Sequence, residues 1–345
     1  MNADRHRISR RTFVRGVGAA AAVGAATAVG LKLRGSEPQP WDPAAFPPPD
    51  ESHVAVLRAS SYDGDLVGVV LDGLRAIGAD VAGARVLLKP NLVEYDRGSA
   101  INTDPRLVHA AVTAMRSMGA ASVAVGEAPG HRRDTRFVVE ASGLAKALQD
   151  AKADFVDLNI SPAAPVPLHS RYTAMGALWL PTAVTEADVV VSMPKMKTHH
   201  WAGITLSLKN CFGCLPGRVY GWPKNALHWQ GIERSILDIA GAVRPSLAIV
   251  DGIVAMEGNG PIDGTPKDVG LVIIGDDPVA VDATTSHIMG FDPDEITYLK
   301  EAGRFLGTSD LSRIQVRGED PDAVVTPFAP APGFDGLGAT AVGGQ

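Results

Sequence analysis

Residues 84–128 read ARVLLKPNLVEYDRGSAINTDPRLVHAAVTAMRSMGAASVAVGEA, and this stretch decides the fold. Two short Val/Leu runs, each ending in polar or glycine-rich residues, flank a segment from Pro105 to Met118 with apolar residues at helical spacing. Asp104-Pro105 opens that helix with an N-cap acceptor and a proline at the first helical position. Short Val/Ile/Leu strands bounded by helices belong to parallel sheets covered on both faces. The alternation continues on either side of this unit. VAVLRAS (54–60), a helix over Leu66–Ile77, a helix over Phe137–Gln149 and ADFVDL (153–158) extend it. ADVVVSMP (187–194), a helix over Gly231–Ala242, SLAIVDG (246–252), VGLVIIG (269–275) and a helix from Pro278 to Met289 complete it. The expected fold is α/β: a mostly parallel open sheet with helices on both faces, as one domain or as two lobes with a cleft. Asp277-Pro278 repeats the helix-start signature, and Asp282, one turn on, reads as a residue on a solvated helix face.

In open α/β sheets ligands bind beyond the carboxyl ends of the strands, so the residues following each strand are the candidates for chemistry. Lys89 and Asn91 follow one strand, Glu127 and His131 a second, and Asp251 and Glu257 a fourth. The third leads into VVVSMPKMKTHHWAGITLSLKNCFGCLPG, residues 189–217, where Lys195, Lys197, His199, His200, Lys209, Cys211 and Cys214 crowd into an otherwise apolar run. Cations, imidazoles and thiols in such surroundings depress one another's proton affinity or hold an anion or a metal. Lys89, Asn91, Lys195, Lys197 and Asn210 are the expected contacts to a small anionic ligand. Glu127, Asp251, Glu257, Cys211, Cys214 and His200 are the donors available to a metal. Cys211-Phe212-Gly213-Cys214 reads as a loop whose cysteines are a disulfide, a redox dithiol, half a metal site completed by His199, His200 or His228, or two small buried residues. No Gly-x-Ser-x-Gly, phosphate loop or dinucleotide fingerprint occurs, which withdraws support from hydrolase, kinase and nicotinamide chemistry.

At the N-terminus, Ser9-Arg10-Arg11-Thr12-Phe13 precedes an Ala- and Gly-rich run from Gly16 to Leu31. This is the pattern of a twin-arginine export signal, recognised by the twin-arginine translocase, and the run is too short and weakly apolar for a permanent span. Ala26-Thr27-Ala28 offers a small-x-small cleavage site. Removal of residues 1–28 deletes five Arg and one Asp and moves the formal charge from −6 to −10. A chain this acidic has no electrostatic footprint for nucleic acid, and its expected contact with a membrane is confined to the N-terminal segment. The expected organisation is a signal segment over 1–35, a Pro-rich linker over 36–52, an α/β domain over 53–325 and a loosely ordered tail over 326–345. The location implied is periplasmic, cell-envelope or extracellular.

The stretches LLKPNLV, TDPRLVHAAV, VAVGEAPG, VVVSMPKMKTH, LSLKNCFG, LAIVDGIVAMEGNGPIDGTP and DDPVAVDATTSHIMGFDP occur in order over 87–293, and on them the chain resembles the domain-of-unknown-function family 362 (DUF362). Many members carry an appended ferredoxin-like module for iron–sulfur clusters. With two cysteines in all, this chain lacks that module, so ferredoxin-type clusters are not expected. A second, weaker resemblance is to nickel-pincer lactate racemases, on His199-His200-Trp201-Ala202-Gly203 through Lys209 and on Gly130-His131-Arg132. That resemblance implies acid/base roles for His131 and His199 and a cofactor-anchoring role for Lys209. It departs from the racemase pattern at Leu206-Ser207-Leu208 and in lacking a histidine where a nickel ligand belongs. Two functions are therefore expected in competition: an exported enzyme using a metal or cofactor with histidine-mediated proton transfer, or an exported binding protein for an anionic ligand.

Overall fold

The computed structural model describes residues 39–130 and 134–338. The expected signal segment over 1–35 and His131 lie outside the described residues. The strands are β1 (Ser52–Arg58), β2 (Arg85–Pro90), β3 (Ser122–Glu127), β4 (Asp154–Asp157), β5 (Ala163–Pro167), β6 (Ala177–Pro181), β7 (Val189–Met193), β8 (Lys195–His199), β9 (Gly203–Thr205), β10 (Leu247–Glu257), β11 (Thr265–Gly275) and β12 (Ile314–Gly318). Among the described residues, ten of them form one sheet whose main path runs β12-β1-β11-β10-β7-β2-β3-β4, and β5 and β6 form a separate hairpin. Along that path every pairing is parallel except the two made by β11.

Strand alternation divides the core. Val86, Leu88, Val125, Val191, Ile249 and Ile274 pack beneath the helices Leu66–Ala76, Pro105–Ser117 and Leu144–Ala151. Leu87, Val190, Ala248, Val250 and Ile273 face the helices Ile232–Val243 and Pro278–Ile288 on the opposite side. Both faces are covered, which is why these strands read as continuous apolar runs rather than alternating ones. Asp104 and Asp277 cap their helices, accepting from the Arg106 and the Val279 and Ala280 amides respectively.

The structure departs from the sequence reading where context overrides local pattern. VGLVIIG is antiparallel to SLAIVDG, because β10 and β11 form one long hairpin that continues past the sheet to Glu257. Asp251 thus sits in mid-strand and not in a loop after it. Residues 195–199 are also a strand: Pro194 interrupts the chain after β7, and β8 resumes parallel pairing with β10. The helix expected over 137–149 is broken into Thr135–Ala141 and Leu144–Ala151 by Gly143, which holds φ 83°. Residues 207–214, read as a loop from Lys209, form a short helix, Ser207–Asn210, and a 3-10 turn, Cys211–Cys214.

Neither flank is loose where it is described. Trp41, in the expected linker, stacks on Phe305 at 5.0 Å, and Phe46 meets the same ring edge-on at 4.9 Å. In the expected flexible tail, Phe328, Ala331 and Leu337 are buried, and Ala329 bonds both ways with the end of β10 through Glu257 and Gly258. Apolar residues among prolines read as spacer, yet these large side chains find core to bury in. No helix among the described residues is long and apolar enough to cross a membrane. Phe305→Ala is expected to lower the unfolding free energy by about 3–5 kcal/mol in chemical denaturation. It should also open residues 39–50 to proteolysis, and a segment that stays protected would show that the ring does not hold it.

Candidate functional site

Parallel pairing of β2 with β3 brings Lys89 and Glu127 together at the carboxyl end of the sheet, where they form an ion pair with both side chains buried. Lys89 Nζ also donates to Pro90 O at 2.7 Å and to Asn210 Oδ1 at 2.8 Å. Asn210 Nδ2 donates in return to Lys89 O and to Ser192 Oγ. The side chains of Lys89 and Asn210, expected to contact a ligand, are thus spent on tying β2, β7 and the Ser207–Asn210 helix to one another. Gly213 lies directly on this pair, and a β-carbon there would overlap Glu127 Oε1 and Lys89 Nζ. Burial raises the Glu127 proton affinity, while Lys89 and then Lys224 oppose the rise. Among the described residues its second oxygen, Oε2, has no hydrogen-bond partner, and neither does Asn91 Oδ1. Both atoms lie in the core, where an unmet acceptor costs about 1–3 kcal/mol.

Lys195 and Asp251 belong to a different network. Lys195 Nζ donates to Asp251 Oδ2 at 2.6 Å, to Tyr62 Oη at 2.8 Å and to Val254 O at 3.0 Å. Asp251 also accepts from Tyr62 Oη and from the Asp104 amide. Both side chains are almost inaccessible, so this is a satisfied internal ion pair and Asp251 has no lone pair facing a metal. Glu257 pairs with Lys267 at 2.8 Å and anchors Ala329, far along the β10–β11 hairpin. Lys197 is wholly buried and, among the described residues, donates to the carbonyls of Ile101 and Pro261. Burial first, then Lys209, Lys195 and Lys89, hold its proton affinity well below the lysine range.

Lys209 is the exception among these cations. It is only partly buried, its Nζ lies 4.3 Å from the centre of the Phe212 ring, and it makes no ion pair or hydrogen bond among the described residues. Burial, then Lys224 and Lys89, push its pKa down to about 7, with Glu127 pulling the other way. Lys224 was not singled out by its sequence context. It is buried, donates to Ala128 O and Phe212 O, and is pushed down to about 8, chiefly by burial. Three imidazoles adjoin this centre. His199 Nδ1 accepts from the Trp201 amide at 3.0 Å, which assigns the ring proton to Nε2. Burial, with Lys209 next, keeps that ring neutral. His200 and His228 donate from Nδ1 to Gly260 O and Lys224 O, leaving Nε2 as the acceptor in each.

Cys211 and Cys214 are both buried in the main core, Cys211 Sγ bonding to Ser207 O. Glu127, Asp251, Glu257, Cys211, Cys214 and His200 do not converge: among the described residues no three His, Cys, Asp or Glu side chains are placed to hold a metal ion. Among the described residues the donors do not fit a metal. Asp282, read as solvated, is fully buried and accepts from the Ser207 and Leu208 amides at 2.7 and 2.9 Å, so it caps the helix that carries Lys209. Two surface concavities of about 350 and 290 Å³ lie elsewhere, one beside Tyr62 and Arg106 and the other beside Trp179 and Val219.

A lysine-rich centre at the carboxyl end of a mostly parallel α/β sheet is the arrangement to be placed among known proteins. The family profile described as Domain of unknown function (DUF362) matches residues 86–287, and the chain belongs to that family. It is 33% identical over 255 residues to the thylakoid-associated protein sll1697 of Synechocystis sp., covering 70% of this chain and 75% of that one. Among solved structures, it is similar to the lactate racemase apoprotein of Thermoanaerobacterium thermosaccharolyticum, at 15% identity and a TM-score of 0.41, over 63% of this chain and 54% of the racemase. A structural-genomics protein from Thermotoga maritima aligns at 12% identity and a TM-score of 0.38, over 67% of this chain and 60% of the other. This chain therefore spans little more than half of the racemase it matches.

Gly213→Ala is expected to force the Lys89–Glu127 pair apart and to destabilise the protein by about 3–5 kcal/mol, the cost of breaking a buried ion pair. Equilibrium denaturation reads this directly, and a neutral effect would mean that the turn can move off the pair.

Proposed function

We propose that the chain is an exported protein that takes up a small anionic molecule at Lys209, with Lys224 and the His199 Nε2–H group beside it. The observation that carries this reading is the charge balance. Lys89, Lys197, Lys209 and Lys224 act on one another through a buried region in which Glu127 is the carboxylate that opposes them. Desolvated cations in excess either lose their protons or acquire a counterion, and a bound anion would restore the ammonium form of Lys209. In this reading His199 donates from Nε2, and His200 and His228 are the groups able to accept a proton. Competing acid/base roles for His131 and His199 remain part of the enzyme alternative. No step is assigned to a metal.

The pH dependence follows from the sign of the shifts. Lys209 and Lys224 titrate at about 7 and about 8 in the folded chain, against an ordinary 10.5. Between those values the unfolded chain binds more protons, so the empty protein gains stability as pH rises from 7 towards 10.5. Anion binding has the opposite slope, because it needs the ammonium form. Calorimetric titration with phosphate and small carboxylates is expected to show affinity falling about tenfold per pH unit above pH 7 for each proton taken up. Lys209→Met should weaken binding about tenfold or more while leaving the empty protein at least as stable, since it removes a repelled charge. Binding unchanged by this substitution would overturn the reading.

Export through the twin-arginine route is supported by Arg10-Arg11 and the weakly apolar run that follows, and by the thylakoid association of the relative. Arg10→Lys together with Arg11→Lys is expected to retain the protein in the cytoplasm, as read by fractionation and immunoblotting. Normal export of that double variant would rule out the route.

A further inference from the structure

Lysines that serve structure and a lysine that serves chemistry can be told apart by what their amino groups touch. Lys89, Lys195, Lys197 and Lys224 are exposed by 1%, 2%, 0% and 3%, and each donates to carbonyl, carboxylate or hydroxyl oxygens that hold it in place. Lys209 alone of this group remains partly accessible, and its Nζ has neither a carboxylate nor a carbonyl partner among the described residues. Its helix is nevertheless rigidly placed. Asp282 caps the first turn through two backbone amides, and Asn210, the next residue, is bound to Lys89 and Ser192.

We propose that Lys209 is an amine nucleophile that condenses with the carbonyl group of an anionic ligand, a 2-oxo acid being the simplest class, to form an imine. This rests on the anion site proposed above and adds a covalent step to it. The free amine attacks the carbonyl carbon to give a carbinolamine; the carbon–oxygen bond then breaks. The two protons lost from nitrogen leave with that oxygen as water, so no oxidant or reductant is needed. Lys209 sheds the proton it takes up with the anion before it attacks, and neighbouring cations and an apolar wall make that loss easy, which is how a lysine nucleophile is activated. Lys224 and Phe212 supply these, and the depressed proton affinity of Lys209 agrees with the geometry. The positive surroundings retain the ligand's carboxylate while its carbonyl reacts.

The test uses the full chain with pyruvate and sodium cyanoborohydride, followed by intact mass and peptide mapping, with pyruvate binding measured in parallel by calorimetry. The expected result is a reduced adduct on the peptide containing Lys209, formed about tenfold or more faster than on any other lysine. Acetone, which has the carbonyl but no charge, should react about tenfold or more slowly at Lys209 if the surrounding cations hold the carboxylate. Lys209→Arg should abolish the adduct while retaining the thermal transition of the parent. If pyruvate binds but adducts spread evenly over surface lysines, the covalent step is overturned and the anion site stands. Failure of pyruvate either to bind or to be trapped overturns the proposal, and failure of phosphate and the other carboxylates to bind overturns the anion site beneath it.

Discussion

The buried pair between Lys89 and Glu127 joins the sheet to the site. It spans the ends of two parallel strands, and through Asn210 it fixes the short helix that carries Lys209. Removing two charges from water is costly, and attraction compensates only where the remaining hydrogen-bonding capacity is also met. Lys89 meets this condition with its two further acceptors. Glu127 meets it by half, with Oε1 engaged and Oε2 without a partner among the described residues. Gly213 is what lets the 3-10 turn come this close, since any side chain would occupy the space of the pair.

Two lysine centres sit on this part of the sheet, with opposite characters. Around Lys195 the charges balance: one carboxylate, one phenol and one carbonyl complete the ammonium shell, and Asp251 is shared with the amide that starts the Pro105–Ser117 helix. Such closure holds a hairpin to a helix and leaves nothing for a ligand. Around Lys209 the charges do not balance. Lys197, Lys209 and Lys224 all lose proton affinity, because burial strips their water and their neighbours repel them. Sites tuned for binding or proton transfer commonly have this unbalanced form, in which empty-state stability is given up for a ligand's contribution.

The histidines refine the picture by their tautomers. Each is oriented by one ring nitrogen bonded to the backbone, and the choice of nitrogen decides what the other can do. His199 presents a donor; His200 and His228 keep an acceptor. The turn that bears His199, His200 and Trp201 is itself braced, since Phe334 and Leu337 of the C-terminal segment lie against Gly203. Segments that composition marks as loose thus become part of the frame around the centre.

Periodicity and helix caps were sufficient to read the alternation of strands and helices, the parallel bias and the concentration of cations after VVVSMP, because these depend on neighbours in sequence. Lys89 and Glu127 could be singled out as strand-end residues from topology, and Lys209 from the charged run that follows VVVSMP. Their different roles could not. Whether a lysine closes a network, as Lys195 does with Asp251 and Tyr62, or stands without an acceptor among the described residues, as Lys209 does, depends on groups distant in sequence. The same holds for Asp282, buried under amides that are 74 and 75 residues away, and for the reversal of β11, which pairing partners imposed. Local pattern determined which elements form and where charge accumulates. Tertiary contact decided which charges are paired, because pairing and desolvation are properties of the packed chain and not of the residue.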